Sequence, residues 1–203
     1  MSTLKFLETI GRNLGAFVEP VDPIYLGAFF AGCVEVNSAI RKPIRKMLKR
    51  LPGPSQADPW SRAALKYPSA ESVRILLDTL CQACRDESFE EGLSSLRSCI
   101  TAVAESVREG RPGMMLGQVS VLWLRNYISG YHAALRWWRP EQADIEATRM
   151  RDLNAWIAAR YGEPEGATWD RLMRVFEGEC QSGVERFVEL WEAWCKKEGD
   201  GHE

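Results

Sequence analysis

The sequence predicts an all-α fold: a single-domain multi-helix bundle of about eight helices. Three observations carry that prediction. Apolar residues recur at helical spacing in nearly every segment. Start and stop signals are dense, with Asp-Pro pairs, Ser and Thr caps and glycine stops between the apolar stretches. Alternating β-branched runs and Asn-Gly turns, the marks of strands and hairpins, are missing. Two helical halves, 1–110 and 111–197, are one way to divide the bundle, with 198–203 as a polar tail that frays.

Taken in order, the first helix starts with Ser2 as N-cap and runs to about Asn13, with Leu7, Ile10 and Leu14 on one stripe. Asp22 caps the second helix and Pro23 takes its first position, where a missing amide proton costs nothing. Ile24, Leu26, Phe29, Phe30, Cys33, Val34 and Ile40 make that helix largely buried, and Pro43 breaks or kinks it. In the run R-K-P-I-R-K-M-L-K-R at 41–50, Ile44, Met47, Leu48 and Leu51 keep helical spacing beneath the charges. Leu51-Pro52-Gly53-Pro54-Ser55 is the strongest breaker cluster. Asp58-Pro59-Trp60 caps a short helix, and Ser69 caps one from about Ala70 to Arg85. Ser88 and Glu91 form a capping box for the next, which ends near Gly110.

Arg111-Pro112-Gly113 then makes a turn, with Pro112 and Gly113 setting it. Ser120 caps the central helix, in which Leu124, Tyr127, Ile128, Tyr131, Leu135 and Trp138 form an apolar stripe. Gly130 lies inside this helix, at a cost of roughly 1 kcal/mol relative to Ala. A small residue there implies a close helix crossing. A helix from about Glu141 to Tyr161 carries Ile145, Met150, Leu153, Trp156 and Ile157 and stops at Gly162. Thr168 caps a helix with Leu172, Met173, Val175 and Phe176 on its apolar side. Ser182 and Glu185 form a second capping box, opening a last helix with Val184, Phe187, Val188, Trp191, Trp194 and Cys195.

A chain of 203 residues with 45% hydrophobic and 27% charged residues buries a real core. The formal net charge of −2 argues against a general nucleic-acid binder, which needs a basic excess. No window approaches the roughly 18 apolar residues of a membrane span, and the start has no apolar signal core. The expectation is a cytoplasmic protein that does not engage membranes, with its six cysteines reduced and mostly buried.

Little in the sequence asks for catalysis, a metal or a cofactor. Cys81 and Cys84 form a C-x-x-C in the middle of an amphipathic helix, without the βαβ setting of a redox pair or a second pair at zinc spacing. His132 is the one imidazole placed for acid–base work, and no Ser, Cys or carboxylate stands out as its partner. Phosphate-binding, zinc-protease and nucleophile-elbow motifs do not occur. The basic run 41–50 reads either as a patch for nucleic acid or anionic lipid, or as a short helix with a solvated basic face. From Glu163 to Glu203 the chain has eleven Asp and Glu against five Lys and Arg. Glu177, Glu179, Glu185, Glu189 and Glu192 are either a solvated face or a docking surface for a basic partner, such as the phosphate-attracting site of a nuclease. Among the eight tryptophans, Trp123 and Trp137 lie off the main stripe of the central helix and are candidate anchors at an interface, or mark a helix buried on two sides.

Several motifs in the second half occur together. They are R-P-G-M-M-L-G at 111–117, G-Y-H-A-A-L at 130–135, W-I-A-A-R-Y-G at 156–162, W-D-R-L at 169–172 and V-E-R-F-V-E-L-W-E-A-W at 184–194. In this order they resemble a family of small helical bacterial proteins with an R-P-G-M-Y-L-G signature, read as immunity proteins of polymorphic and secreted toxin systems. Met115 departs from the family's usual Tyr, and the N-terminal half lies outside the resemblance. The resemblance implies a cytoplasmic protein without catalysis of its own. It would bind a cognate antibacterial toxin, a nuclease effector or a type VI secretion effector among the options, and neutralise it stoichiometrically. The alternative is a helical structural or regulatory module associated with nucleic acid through 41–50.

Overall fold

The structure, a computed structural model, describes residues 3–51, 59–84, 95–109 and 119–200. These residues contain eleven α-helices, one 3-10 turn, one π-helical turn and no β-strand. The class is all-α. The helix count exceeds eight partly because two four-residue helices stand apart from their longer neighbours. The Arg111-Pro112-Gly113 turn, Pro52 to Ser55 and the Ser88–Glu91 capping box lie outside the described residues.

The chain divides into two compact units, each assembled from two stretches. The first comprises Met1–Ser95 with Asn126–Gln142, the second Leu96–Arg125 with Ala143–Glu203. In the first unit lie α1 (Thr3–Arg12), α2 (Leu14–Phe17), α3 (Pro23–Val36), α4 (Arg41–Lys49), α5 (Pro59–Lys66) and α6 (Ala70–Ala83), with most of α8 (Val121–Trp138). Here α1 packs on α6, α3 on α5, and α4 on both α5 and α6. In the second lie α7 (Leu96–Arg108), the start of α8, most of α9 (Pro140–Tyr161), α10 (Trp169–Leu172), a π turn (Met173–Glu177) and α11 (Gln181–Asp200).

Local chemistry sets the helix ends of the first unit. The Asp22 carboxylate accepts the Ile24 amide at 2.7 Å, with Pro23 behind it, and starts α3. The helix ends at Val36, well before Pro43, because Asn37 is extended and its side chain accepts the Ala39 amide at 3.2 Å. That bond opens the 3-10 turn Ser38–Ile40. Pro43 falls in the first turn of α4, where its missing donor has no intrahelical partner to lose. Ser69 and Ser72 cap α6 reciprocally, each side chain accepting the other's backbone amide.

The centre of this unit is the crossing of α3 and α8. A Cβ on Gly130 would overlap the Phe29 carbonyl oxygen, and one on Gly32 would overlap that of Tyr127. Two glycines on opposite helices thus bring two backbones into contact. The Cys33 thiol donates to the Gly130 carbonyl at 3.3 Å across the crossing. One turn earlier, the buried Asn126 side chain grips Glu19: it accepts that residue's amide at 3.1 Å and donates to its carbonyl at 3.0 Å. Phe6, Leu7, Ile10, Leu26, Phe29, Phe30 and Tyr131 are all but fully buried around this crossing. Within α8 only Arg136 is exposed, so the helix has no solvated face comparable to its apolar one.

The second unit is built on aromatic packing. The Trp169 and Phe187 rings lie 4.1 Å apart, Phe187 and Trp191 6.5 Å, and Trp191 and Trp194 5.6 Å. Three local expectations change here. Thr168 makes no side-chain cap; the Asn154 side chain, reaching from α9, accepts the Trp169 amide at 2.8 Å instead. The last helix starts at Gln181 rather than at a Ser182 box. Ser182 donates to the Glu177 carbonyl at 2.6 Å, and Glu185 accepts from the Gln181 side chain at 2.6 Å. On α9, Ile145 is 57% exposed while Glu146 is buried, with Arg149 at 3.4 Å.

Candidate functional site

The five carboxylates singled out in the sequence each have a partner within the second unit. Glu179 is bound into the start of α8: one oxygen accepts from the Ser120 hydroxyl at 2.9 Å and from the Leu122 amide at 3.0 Å. Its backbone carbonyl accepts the Val121 amide at 2.8 Å, while Ser120 itself accepts the Trp123 amide at 3.1 Å. A carboxylate at a helix N-terminus satisfies orphan amides and complements the helix dipole. Its other oxygen lies 4.0 Å from Arg174. Arg174 and Arg125 also flank Asp170, a buried carboxylate, at 3.8 and 3.4 Å.

Glu177 accepts the Tyr161 hydroxyl at 2.6 Å and lies 3.6 Å from Arg186. Arg186 reaches Glu189 at 2.8 Å, an ion pair that favours its charged form. Burial, then the bond to Glu177, raises the Tyr161 pKa, so the phenol stays a donor. Glu192 pairs with Arg108 on α7. Glu189 and Glu192 remain open to water, whereas Glu177, Glu179 and Glu185 are partly covered. The acidic segment is therefore laced with its own arginines.

Two exposed apolar side chains of this unit lie beside that network. Val175 is 67% and Phe176 49% exposed, both on the π turn. The sequence places them on the buried side of an α-helix. A π turn bonds i to i+5 and advances the chain by a different angle per residue, so the apolar stripe shifts outward after the buried Met173. Gly178, at φ +97°, ends the turn in a conformation that side-chain-bearing residues rarely adopt. Phe176 stacks on Tyr161 with centroids 5.0 Å apart, and Arg160 lies 3.9 Å over the Trp156 ring. No periodicity in the sequence marks this patch.

The two tryptophans named from the sequence are placed differently from each other. Trp123 is 7% exposed and belongs to the core of the second unit. Trp137, in the first unit, is half-buried with its ring 5.7 Å from Phe6, and its indole N–H has no acceptor among the described residues.

The groups considered for chemistry sit in core-like settings. Burial, with Arg136 nearby, lowers the His132 pKa to about 4, so the ring is neutral near pH 7. Cys81 and Cys84 are buried free thiols. Burial, followed by the charges of Asp78 and Glu8, pushes Cys81 up to about 11, opposite to what a reactive thiolate needs. All six cysteines are free, with Cys180 exposed and Cys195 partly so. Among the described residues no three His, Cys, Asp or Glu gather as a metal site, and no helix is long and apolar enough to cross a membrane.

In the first unit, α4 buries Pro43, Ile44, Met47 and Leu48 and exposes Arg41, Lys42, Arg45, Lys46 and Lys49, followed by Arg50. No family model, curated protein or solved structure matches the chain.

Proposed function

We propose that the chain is an immunity-type binding protein, acting in the cytoplasm as a stoichiometric inhibitor of an antibacterial toxin. One observation carries this reading. Val175 and Phe176 are held out on the π turn, stacked on Tyr161 and bordered by Glu177, Arg186 and Glu189. An aromatic anchor with a polar, charged border is the composition of protein-binding hot spots. It also lies within the part of the sequence, 156–194, that carries most of the resemblance to immunity proteins. Glu189 and Glu192 stay at the surface paired with Arg186 and Arg108, so they add polar contacts at its edge rather than free negative charge.

The experiment is co-expression with the toxin gene adjacent on the genome, read as growth rescue and as a co-purified 1:1 complex. Phe176→Asp is expected to weaken the complex at least 100-fold while leaving the melting temperature within a few degrees, since the side chain is already half in water. Absence of both rescue and complex sinks the reading. Rescue that Phe176→Asp leaves untouched moves the interface elsewhere.

A further inference from the structure

Arg41, Lys42, Arg45, Lys46, Lys49 and Arg50 are all exposed along α4 and its C-cap. These six cations fall in two rows, Arg41, Arg45, Lys49 and Lys42, Lys46, Arg50, each stepping by four residues. Four residues of α-helix rise about 6 Å, so each row is a regular ladder of positive charge. None of the six has a hydrogen bond or ion pair to an acidic group among the described residues. Glu189 and Glu192 of α11, by contrast, carry arginine partners.

A groove flanks the helix on each side. Lys42, Lys46 and Arg50 line one of about 590 Å³ against α6, where Thr79 and Gln82 add polar groups. Arg41 and Arg45 border the other, about 330 Å³, whose floor is apolar and includes Ile44, Phe30 and Trp60. Phe30 and Trp60 are nearly parallel, at 9°, with centroids 6.3 Å apart. The second groove is at the small end of ligand-sized pockets, enough for one planar ring.

We propose that α4 and its two grooves bind single-stranded nucleic acid, with phosphates on the cationic rows and a base in the Trp60 groove. Cationic tracks beside aromatic slots are how strands are held without sequence readout. The apolar side of α4 is buried, so the helix has no free face to lay into a lipid interface. A carboxylate-rich protein segment would use the charges but has no planar group to fill the aromatic slot. The net charge of −2 gives no long-range attraction. Binding therefore rests on this local array and falls steeply with salt. The site is independent of the toxin-binding reading and stands or falls separately.

The test is fluorescence anisotropy of the full chain with a labelled 20-nucleotide oligouridine. The expected slope of log affinity against log salt is between about −3 and −4, for four to six neutralised phosphates at about 0.7 each on single strands. The double variant Arg45→Glu, Lys46→Glu should bind at least 100-fold more weakly with an unchanged circular-dichroism melt. Trp60→Leu, which keeps an apolar side chain in the slot, should lose about tenfold with the salt slope unchanged. Three results overturn the proposal: oligouridine binding that the double reversal does not weaken, polyglutamate binding as tightly as oligouridine at equal salt, or phosphatidylserine vesicles binding where oligouridine does not.

Discussion

In the first unit, Gly32 and Gly130 put two helix backbones in contact, and the cations of α4 point to water without acidic partners among the described residues. In the second unit, bulky aromatic rings form the centre, and carboxylates are knitted to arginines and to the start of α8. Both are all-α, yet one draws specificity from how closely backbones approach and the other from satisfied polar bonds. The difference shows where a partner could act. Charge already paired inside a protein has lost much of its reach, while unpaired charge on a rigid helix retains it.

The backbone crossing is where the comparison breaks most severely. Gly130→Ala is expected to lower unfolding free energy by about 3 kcal/mol or more, because a methyl group there must displace the α3 backbone rather than a flexible side chain. Denaturant titration measures it. A variant within about 1 kcal/mol of the parent would mean that the helices are not held by this contact.

A smaller effect tests the half-buried imidazole of the first unit. The folded His132 has a pKa of about 4 against an ordinary 6.5. As pH falls, the unfolded chain takes up its proton first, so stability is full above about pH 6.5 and is lost as pH falls towards 4. The loss is roughly 2 kcal/mol by pH 5. His132→Leu should flatten the stability profile between pH 7 and 5; an unchanged profile would assign the acid sensitivity to other groups. Smallest is the polar lacing of the second unit. Glu179→Gln keeps the shape of the cap but removes its charge, and should cost about 1 kcal/mol. Thermal melts at low and high salt check it, with the gap between the two proteins narrowing as salt rises.

Signals that act within one turn of chain were legible in the sequence. Asp22-Pro23, Ser69 and Ser120 each start a helix because the donor they satisfy lies two or three residues away. Signals that compete over longer distances were not. Thr168 looks like a cap, but Asn154 reaches the same amide from another helix. Pro43 looks like the stop of α3, yet Asn37 already offers the backbone a different bond. Ile145 and Glu146 exchange the burial that their residue types suggest, and Val175 and Phe176 are turned outward by a π turn. Gly130 showed that something must come close; only the fold shows that Gly32 and the Phe29 carbonyl are what it meets. The basic face of α4 was readable as charge, but its flanking grooves require α5 and α6 to be folded beside it.

The crossing of α3 and α8 also sets a timetable during synthesis. Cys33 and the Gly130 carbonyl it bonds are separated by 97 residues. At translation rates of 5–20 residues per second, α3 leaves the ribosome roughly 5–20 s before its partner helix is made. Throughout that interval Phe29, Phe30 and the Gly32 notch have no α8 to cover them. A nascent chain of this protein thus carries an open apolar seam for seconds, and a translation pause between residues 36 and 126 would lengthen its dependence on chaperones.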